Sequence, residues 1–249
     1  MNKYTLIITL IINLIFIITL FTILNIKKRK NEDTKIELVV SRYNENLEWL
    51  KNEPFNKYPV ICYNKGPNEN FYKPNNMKVV KLENLGRDYG TFMYHIINNY
   101  DNLSKYTFFL PGSLQLPNKY DRAKNWLIDF EKNTVNMNKY CKYYENGILD
   151  EQKNFVMNQY KSSDPQNHSI NTSIYIYPSD KKPFSKWYKY HFNDKKINHI
   201  CYNGIFLIDR DSILKNPISY YNIFLNELNK HSNTEVIHYM ERAFSALFN

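Results

Sequence analysis

The chain has few cysteines, and their spacing excludes the common cysteine-based sites. Only Cys62, Cys141 and Cys201 occur in 249 residues, and none belongs to a CxxC or CxxH pattern. Neither a structural zinc site nor a disulfide framework is therefore indicated. Cys62 and Cys201 each lie in an apolar, strand-like run, so we expect both to be small buried hydrophobic residues.

The sequence also lacks an internal repeat and a nucleic-acid recognition motif. The formal net charge is +9, but the run Lys27-Lys28-Arg29-Lys30 supplies four of the positive charges. The remaining excess suits binding to phosphate groups and is too diffuse for a nucleic-acid stripe. No nucleic-acid partner is expected.

One long apolar run lies near the N-terminus, from Tyr4 to Leu24. A membrane-spanning helix needs roughly 20 such residues. No small-residue cleavage pattern follows it, so a retained signal-anchor is favoured over a removed signal peptide. We predict a single-pass transmembrane anchor over residues 1–25, with residues 4–24 in the membrane, a basic and polar stalk over 26–35, and one domain over 36–249.

The side of the membrane on which the domain lies stays open. Four positive charges follow the span, and the positive-inside rule places the domain on the cytoplasmic side. Three glycosylation-type triplets, at Asn102, Asn167 and Asn171, have a role only on the luminal side. In so Asn-rich a chain such triplets arise by chance, so the charge rule receives slightly more weight.

Strand-like apolar runs alternate with helical patterns in the soluble part. This alternation predicts an α/β fold with a mostly parallel mixed sheet flanked by helices, in which ligands bind beyond the carboxyl ends of strands. A polar, weakly patterned stretch, 132–172, is the place for long loops. The predicted strands are 36–40, 59–63, 77–82, 106–110, 174–177 and 205–208, and the predicted helices include one capped by Asp121, one over 217–230 and one over 234–248.

Two polar loops follow the first two strands. Arg42, Asn44 and Glu45 come after the first strand, where a nucleotide base and ribose are often held; the alternative is a solvated loop with a capping Asn. Asn64-Lys65-Gly66 follows the second strand. It is either a phosphate-facing loop or a simple turn, and by itself the pattern favours the turn.

The stretch from Asn84 to Gly90 places Gly86, Arg87 and Asp88 at a helix N-terminus, which attracts anions. Arg87 can contact a diphosphate with its forked guanidinium, and Asp88 can accept from a ribose or sugar hydroxyl. Alternatively, Asp88 only caps the helix and Arg87 pairs with a carboxylate.

Two further sets of carboxylates are weaker candidates. Asp209 and Asp211 form an Asp-x-Asp pattern, which can hold a divalent cation such as Mn²⁺ or Mg²⁺; the alternative is a cap for the helical turn that follows. Glu241 lies on the polar side of the last helix. It can act as a general base if that side faces the cleft, although a solvated face is the default.

These motifs together resemble a family of largely uncharacterised proteins, whose ordered elements are Arg-Tyr-Asn-Glu, Tyr-Asn-Lys-Gly and Asn-x-Gly-Arg-acid. Here they start at Arg42, Tyr63 and Asn84, and the closing stretch 238–248 is similar to that family's terminal helix. The resemblance spans residues 36–248. The Asn-x-Gly-Arg-Asp element is also similar to one in polysaccharide-synthesis glycosyltransferases, which implies a single glycosyltransferase A-like, nucleotide-sugar-binding domain.

One departure from that pattern limits the transfer of function. Many such enzymes carry Asp-x-Asp after the strand that follows the nucleotide-binding helix. Here the corresponding stretch, Pro111 to Leu114, has no carboxylate. Either a metal is held elsewhere, or no metal is used, or transfer activity has been lost.

The resemblance implies a membrane-anchored glycosyltransferase that transfers a sugar from a nucleotide-sugar donor to a glycan or protein acceptor. Arg42, Glu45, Arg87 and Asp88 would then hold the donor, Gly204 to Asp211 would face the acceptor, and Glu241 would be the candidate base. The alternative is a catalytically inactive, membrane-tethered module that binds glycans or nucleotides.

Overall fold

The computed structural model describes residues 12–19, 36–132, 152–167, 174–193, 195, 197 and 200–248. The chain divides into two units, Met1–Lys35 and Ile36–Asn249. In the first unit, residues 12–19 are helical and exposed. Within the described ranges no helix is long and apolar enough to cross a membrane. The rest of the predicted span and the stalk lie outside those ranges, so the anchor stays a prediction.

The second unit contains a five-stranded sheet in the order β3-β2-β1-β4-β5. The first four strands run parallel to one another, and the fifth strand pairs antiparallel with the fourth. The predicted α/β fold with a mostly parallel mixed sheet is thereby confirmed. The strands are β1 Ile36–Arg42, β2 Val60–Asn64, β3 Met77–Lys81, β4 Tyr106–Pro111 and β5 Phe206–Asp209.

Helices cover both faces of this sheet. Their bounds are α1 Arg87–Asn98, α2 Pro117–Glu131, α3 Phe184–Phe192, α4 Arg210–Leu214, α5 Ile218–Leu228 and α6 Glu235–Ala243.

Several predicted elements differ from the observed ones. Helix α2 begins at Pro117 rather than after Asp121, because proline suits the first helical turn, where its missing N–H costs nothing. Residues 174–177 form isolated bridges rather than a strand. Helix α3 had not been predicted, and α6 gives way to a 3-10 turn after Ala243.

Alternation along the strands sends side chains into two separate core layers. Val39 and Phe109 point into a layer built with α1, α3, α5 and α6. Val40 and Phe108 point into the opposite layer, built with α2. Strands covered on both faces are almost wholly buried, which is why β1 and β4 appear in the sequence as continuous apolar runs.

The order of the strands reverses beside β1. From β1 the chain moves outward to β2 and β3, and it then returns to place β4 on the other side of β1. In open α/β sheets the crevice beyond the carboxyl ends of the strands at such a reversal is the usual ligand site. The topology therefore directs attention to the loops that follow Arg42, Asn64 and Pro111.

The cysteines divide into two kinds. Cys62 is a free, fully buried residue of β2, as expected, and burial raises the pKa of its thiol to about 12. Cys201 is buried, as expected, but it is also disulfide-bonded, so the expectation that no disulfide is present was wrong. Pairing depends on distance in the fold, which the spacing of cysteines along a chain does not reveal.

Candidate functional site

A cleft lies at the carboxyl ends of β1, β2 and β4. Residues from three separate loops predicted as site loops line it together. These predicted residues are Arg42, Glu45, Lys65, Asn84, Arg87 and Asp88.

Arg42 forms the base of the loop that follows β1 and is almost fully buried, at 1% exposure. Its Nε donates to Glu45 O at 2.7 Å, and its Nη1 donates to Asn64 Oδ1 at 2.6 Å and to Asn68 O at 2.8 Å. Its guanidinium also lies 3.8 Å from the centre of the Phe71 ring. Burial lowers the pKa of Arg42. Its remaining terminal nitrogen, Nη2, is buried and has no hydrogen-bond partner.

Glu45 turns back against its own loop rather than into solvent. Its Oε2 accepts from the N–H of Tyr43 at 2.7 Å and of Asn44 at 3.1 Å, and its Oε1 accepts from Asn167 Nδ2 at 2.9 Å. Burial raises the pKa of this carboxyl. Gly112 is required opposite it, because a Cβ there would lie 2.7 Å from Glu45 Oε2.

Asn44 does not line the cleft. Its Nδ2 donates to Gln166 O at 2.5 Å, and the N–H of Asn46 donates to Gln166 Oε1 at 2.9 Å. Together with the Asn167–Glu45 bond, these contacts fasten the segment 160–167 over the β1 loop. Asn44 therefore acts as part of the framework.

Lys65 is buried, and it holds the next loop in place. Its Nζ donates to the carbonyls of Leu85 at 2.5 Å and Arg87 at 2.6 Å. Burial lowers the pKa of Lys65 to about 7. Asn64 also supports the loops, since its Oδ1 accepts from Arg42 and from the N–H of Gly66. Lys65 thus lines the cleft, while its Nζ is bonded to the turn that precedes α1.

The turn before α1 has an unusual backbone. Gly86 has φ 63° and Arg87 has φ 43°, a left-handed conformation that is rare for a residue with a side chain. The N–H of Gly86 donates to His231 O at 3.1 Å, and Lys65 holds the carbonyls on either side. Such strain persists only where the surroundings enforce it, and it is concentrated at functional sites.

Among the described residues the Arg87 side chain does not pair with a carboxylate. Its Nε donates to Asn233 Oδ1 at 3.1 Å, and its guanidinium lies 4.5 Å from the centre of the Tyr160 ring. Burial lowers its pKa. The Tyr160 ring is also close to His238, at 4.8 Å between ring centroids. Burial, together with nearby cations, lowers the pKa of His238 to about 3, so this imidazole is neutral at physiological pH.

Asp88 is not the cap of α1. The N-cap position is Gly86, and no side chain caps the helix there. Within the described part of the chain, the Asp88 carboxylate has no hydrogen-bond partner, and it lines the cleft beside Asn84. It is therefore the carboxylate in the cleft that is available to a ligand hydroxyl.

Gly204 and Glu241 lie next to Asp88 without lining the cleft. Gly204 has φ 67°, and a Cβ added to it would lie 3.5 Å from Asp88 Oδ2. Glu241 Oε1 accepts from the N–H of Asn203 at 2.9 Å. Burial raises the pKa of Glu241, and the charge of Asp88 raises it further.

Asp209 and Asp211 lie at the amino-terminal end of the parallel strands, opposite the end that carries the remaining candidates. Asp209 pairs in register with Tyr106 at the start of β4, because β5 runs antiparallel. It caps α4, accepting from Ser212 N at 2.8 Å and Ser212 Oγ at 2.7 Å. Asp211 is exposed and lies 3.0 Å from Lys105 Nζ. The prediction that Asp209 and Asp211 face the acceptor was therefore wrong, because both lie at the end of the sheet opposite the cleft. The alternative, a helix cap, is observed at Asp209.

Several residues that line the cleft were not predicted. They are Ser113, Lys119, Tyr160, Ser162, Asn167, Ser232 and Asn233. Asn167 had been noted only as a glycosylation-type triplet, but its amide is bonded to Glu45 inside the cleft. Pro117 could have predicted the start of the helix that brings Lys119 to the cleft, because proline is common in the first helical turn. The other residues come from loops without a pattern.

Comparison with known proteins identifies a family but no characterised relative. The profile of the family described as "Protein of unknown function (DUF3431)" matches residues 38–249. No curated protein and no solved structure gives a significant match.

Proposed function

We propose that this chain, which belongs to the DUF3431 family, binds the nucleoside diphosphate of a nucleotide-sugar donor in the cleft and is a membrane-anchored glycosyltransferase. The observation that carries the proposal is the convergence of Arg42, Lys65, Arg87 and Asp88 on one cleft. These residues come from three loops that are distant in sequence. Their convergence at the reversal of strand order is what a nucleotide site requires.

The charges of the cleft favour an anionic ligand. Four cationic side chains, Arg42, Lys65, Arg87 and Lys119, line it together with two acidic ones, Glu45 and Asp88. A diphosphate would balance the excess of basic over acidic side chains.

The side chains divide into supporting and ligand-facing groups. The supporting side chains form most of their hydrogen bonds with the loops themselves; they are Arg42, Glu45 and Lys65. Arg87 uses only its Nε on a protein acceptor that the structure describes, which leaves its terminal nitrogens to a phosphate. Asp88 would accept a hydrogen bond from a ribose or sugar hydroxyl.

Transfer would take place beside Gly204. An acceptor hydroxyl oxygen would form a bond to the anomeric carbon of the donor, the bond from that carbon to the diphosphate oxygen would break, and the hydroxyl proton would pass to a carboxylate. Glu241 is the candidate for this role, because burial raises its pKa and a carboxylate with a raised pKa is a stronger base. Its side chain does not line the cleft, so an acceptor would have to reach past Asp88 to contact it. Its hydrogen bond to Asn203 N would orient it toward the same loop.

The alternative is a catalytically inactive module that binds nucleotides or glycans at the membrane. A specific observation favours it: Ser113, in the turn after β4, and Lys119, in the first turn of α2, line the cleft, where glycosyltransferases of this kind would carry carboxylates. A donor screen separates the two functions. Transfer or hydrolysis of a nucleotide sugar supports the enzyme, whereas nucleotide binding without turnover supports the module.

Calorimetry on the purified chain tests the shared part of both proposals. ADP, CDP, GDP and UDP are titrated in turn, and at least one should bind. Arg87→Ala should weaken that binding about tenfold or more, because losing a charge-assisted hydrogen bond lowers the binding free energy by about 1.5–3 kcal/mol. Arg210→Ala is the matched control, because Arg210 lies beyond Asp209 at the other edge of the sheet. A folded protein that binds none of the four would refute the proposal.

A further inference from the structure

The helix that follows the turn after β4 brings a lysine to the place where a metal-dependent nucleotide-sugar site would carry carboxylates. Ser113 and Lys119 both line the cleft. Lys119 Nζ donates to Ser113 Oγ at 2.8 Å, which places the ammonium directly beside that turn. Lys119 is also close enough to Glu241 to lower the pKa of that carboxyl.

The carboxylates around the cleft do not suit a divalent cation. Both oxygens of Glu45 already accept hydrogen bonds from N–H groups, and a metal would have to displace those donors. Asp209 lies at the other edge of the sheet. Across the described residues, no group of three or more His, Cys, Asp or Glu side chains is arranged to hold a metal ion. Hard cations need several oxygen ligands, and Asp88 alone does not supply them.

The cleft instead receives protein cations from both faces of the sheet. Arg87 begins α1, whose apolar side packs into one core layer, and Lys119 lies in the first turn of α2, which packs into the other. Among the described contacts Lys119 makes one hydrogen bond, to Ser113, although an ammonium has three donors. Two of its donors can therefore bind a ligand.

Arg42 adds a further positive charge at the cleft. It is 1% exposed and lines the cleft, and its Nη2 has no hydrogen-bond partner among the described residues. A guanidinium stays protonated in proteins, so Arg42 attracts an anion and repels a metal cation.

From this geometry we propose that Lys119, together with Arg87, neutralises the ligand's diphosphate, and that binding requires no divalent cation. This inference rests on the proposed nucleotide site, and it specifies how that site handles phosphate charge.

Calorimetry under two conditions tests it. The four nucleoside diphosphates are titrated into the purified chain in excess EDTA and again in excess MnCl₂. We expect the affinity in EDTA to be equal to or higher than that in MnCl₂. Binding that appears only with Mn²⁺ would overturn this inference and leave the proposed function standing, whereas no binding in either condition would overturn the proposed function itself.

Variants of α2 test the role of the lysine. In EDTA, Lys119→Ala should weaken binding about tenfold or more, as expected for a lost charge-assisted hydrogen bond. Lys119→Arg should retain most of the affinity because it keeps the charge. Lys124→Ala, on the same helix and outside the cleft, should not change it. Unchanged binding by Lys119→Ala would overturn the assignment, and Lys119→Gln serves if the alanine variant does not fold.

Discussion

The buried guanidinium of Arg42 should matter for stability as much as for binding. It donates four hydrogen bonds, to the carbonyls of Tyr43, Glu45 and Asn68 and to the side chain of Asn64. These bonds connect the end of β1 to β2 and to the loop that follows it. Arg42→Met would keep the apolar stem while removing every one of these donors.

The expected cost follows from the burial of this group. Leaving a buried acceptor without its donor costs about 1–3 kcal/mol, and Arg42→Met removes the donor from four acceptors. Removing the charge also relieves the desolvation that lowers the pKa of Arg42, so a net loss of about 3 kcal/mol is expected. For a domain of this size a loss of 1 kcal/mol lowers Tm by roughly 2–4 °C. The variant should therefore melt about 6–12 °C below the wild type.

Urea denaturation followed by tryptophan fluorescence measures this loss, because Trp49, Trp126 and Trp187 are all buried. Arg210→Met is the control, since the Arg210 side chain is 41% exposed and its Nε lies 4.0 Å from Asp211 Oδ1, an exposed residue; surface changes of this kind stay within about 0.5 kcal/mol. If Arg42→Met matched that control, the network would not support the fold, and Arg42 would act as a ligand contact alone.

Three further outcomes are expected. Gly66→Ala should severely destabilise the domain in urea titrations, because its Cβ would lie 1.7 Å from the carbonyl oxygen of Tyr43; a stability equal to the wild type would mean that this loop is placed differently. Burial lowers the pKa of Lys65 from 10.5 to about 7, so between pH 7 and 10.5 the unfolded chain binds more protons than the folded one. The free energy of unfolding should therefore rise with pH across that window. Lys65→Met should reduce this rise, and an unchanged pH profile would contradict the burial of Lys65. Non-reducing peptide mapping should recover Cys201 in a disulfide-linked peptide, which would favour an oxidising compartment for the domain, whereas recovery of a free Cys201 thiol would contradict the bond.

Much of the fold was predictable because its signals are local. The first four strands were predicted close to their observed bounds. For β1, β2 and β4 the signal is the continuous apolar run of a buried parallel strand, whereas β3 is a partly exposed edge strand. Helix α3 was missed although a signal is present: its buried residues Phe184, Trp187, Tyr188 and Phe192 lie at i, i+3, i+4 and i+8, the spacing of one helical face. Residues 174–177 were predicted as a strand from composition, although they form only isolated bridges.

The site was predictable to the extent that its residues belong to loops at the ends of parallel strands. Arg42, Lys65 and Arg87 were identified on that basis, and the sheet brings them together. Asp209 follows a strand in the same way in sequence, but β5 runs antiparallel and its carboxyl end lies at the opposite edge. The direction of a strand depends on its partner in the sheet, and a single sequence does not contain that information.

By itself, the sequence determined that an α/β domain presents cations and carboxylates on the loops after its strands, because strand patterns and polar loops are properties of neighbouring residues. Only the tertiary structure decided which charges are framework and which face a ligand. Lys65 and Glu45 are occupied by carbonyls and N–H groups from their own and neighbouring loops, whereas Asp88 and Lys119 face the cleft. Hydrogen bonds between residues far apart in sequence make that distinction, and they exist only once the chain has folded.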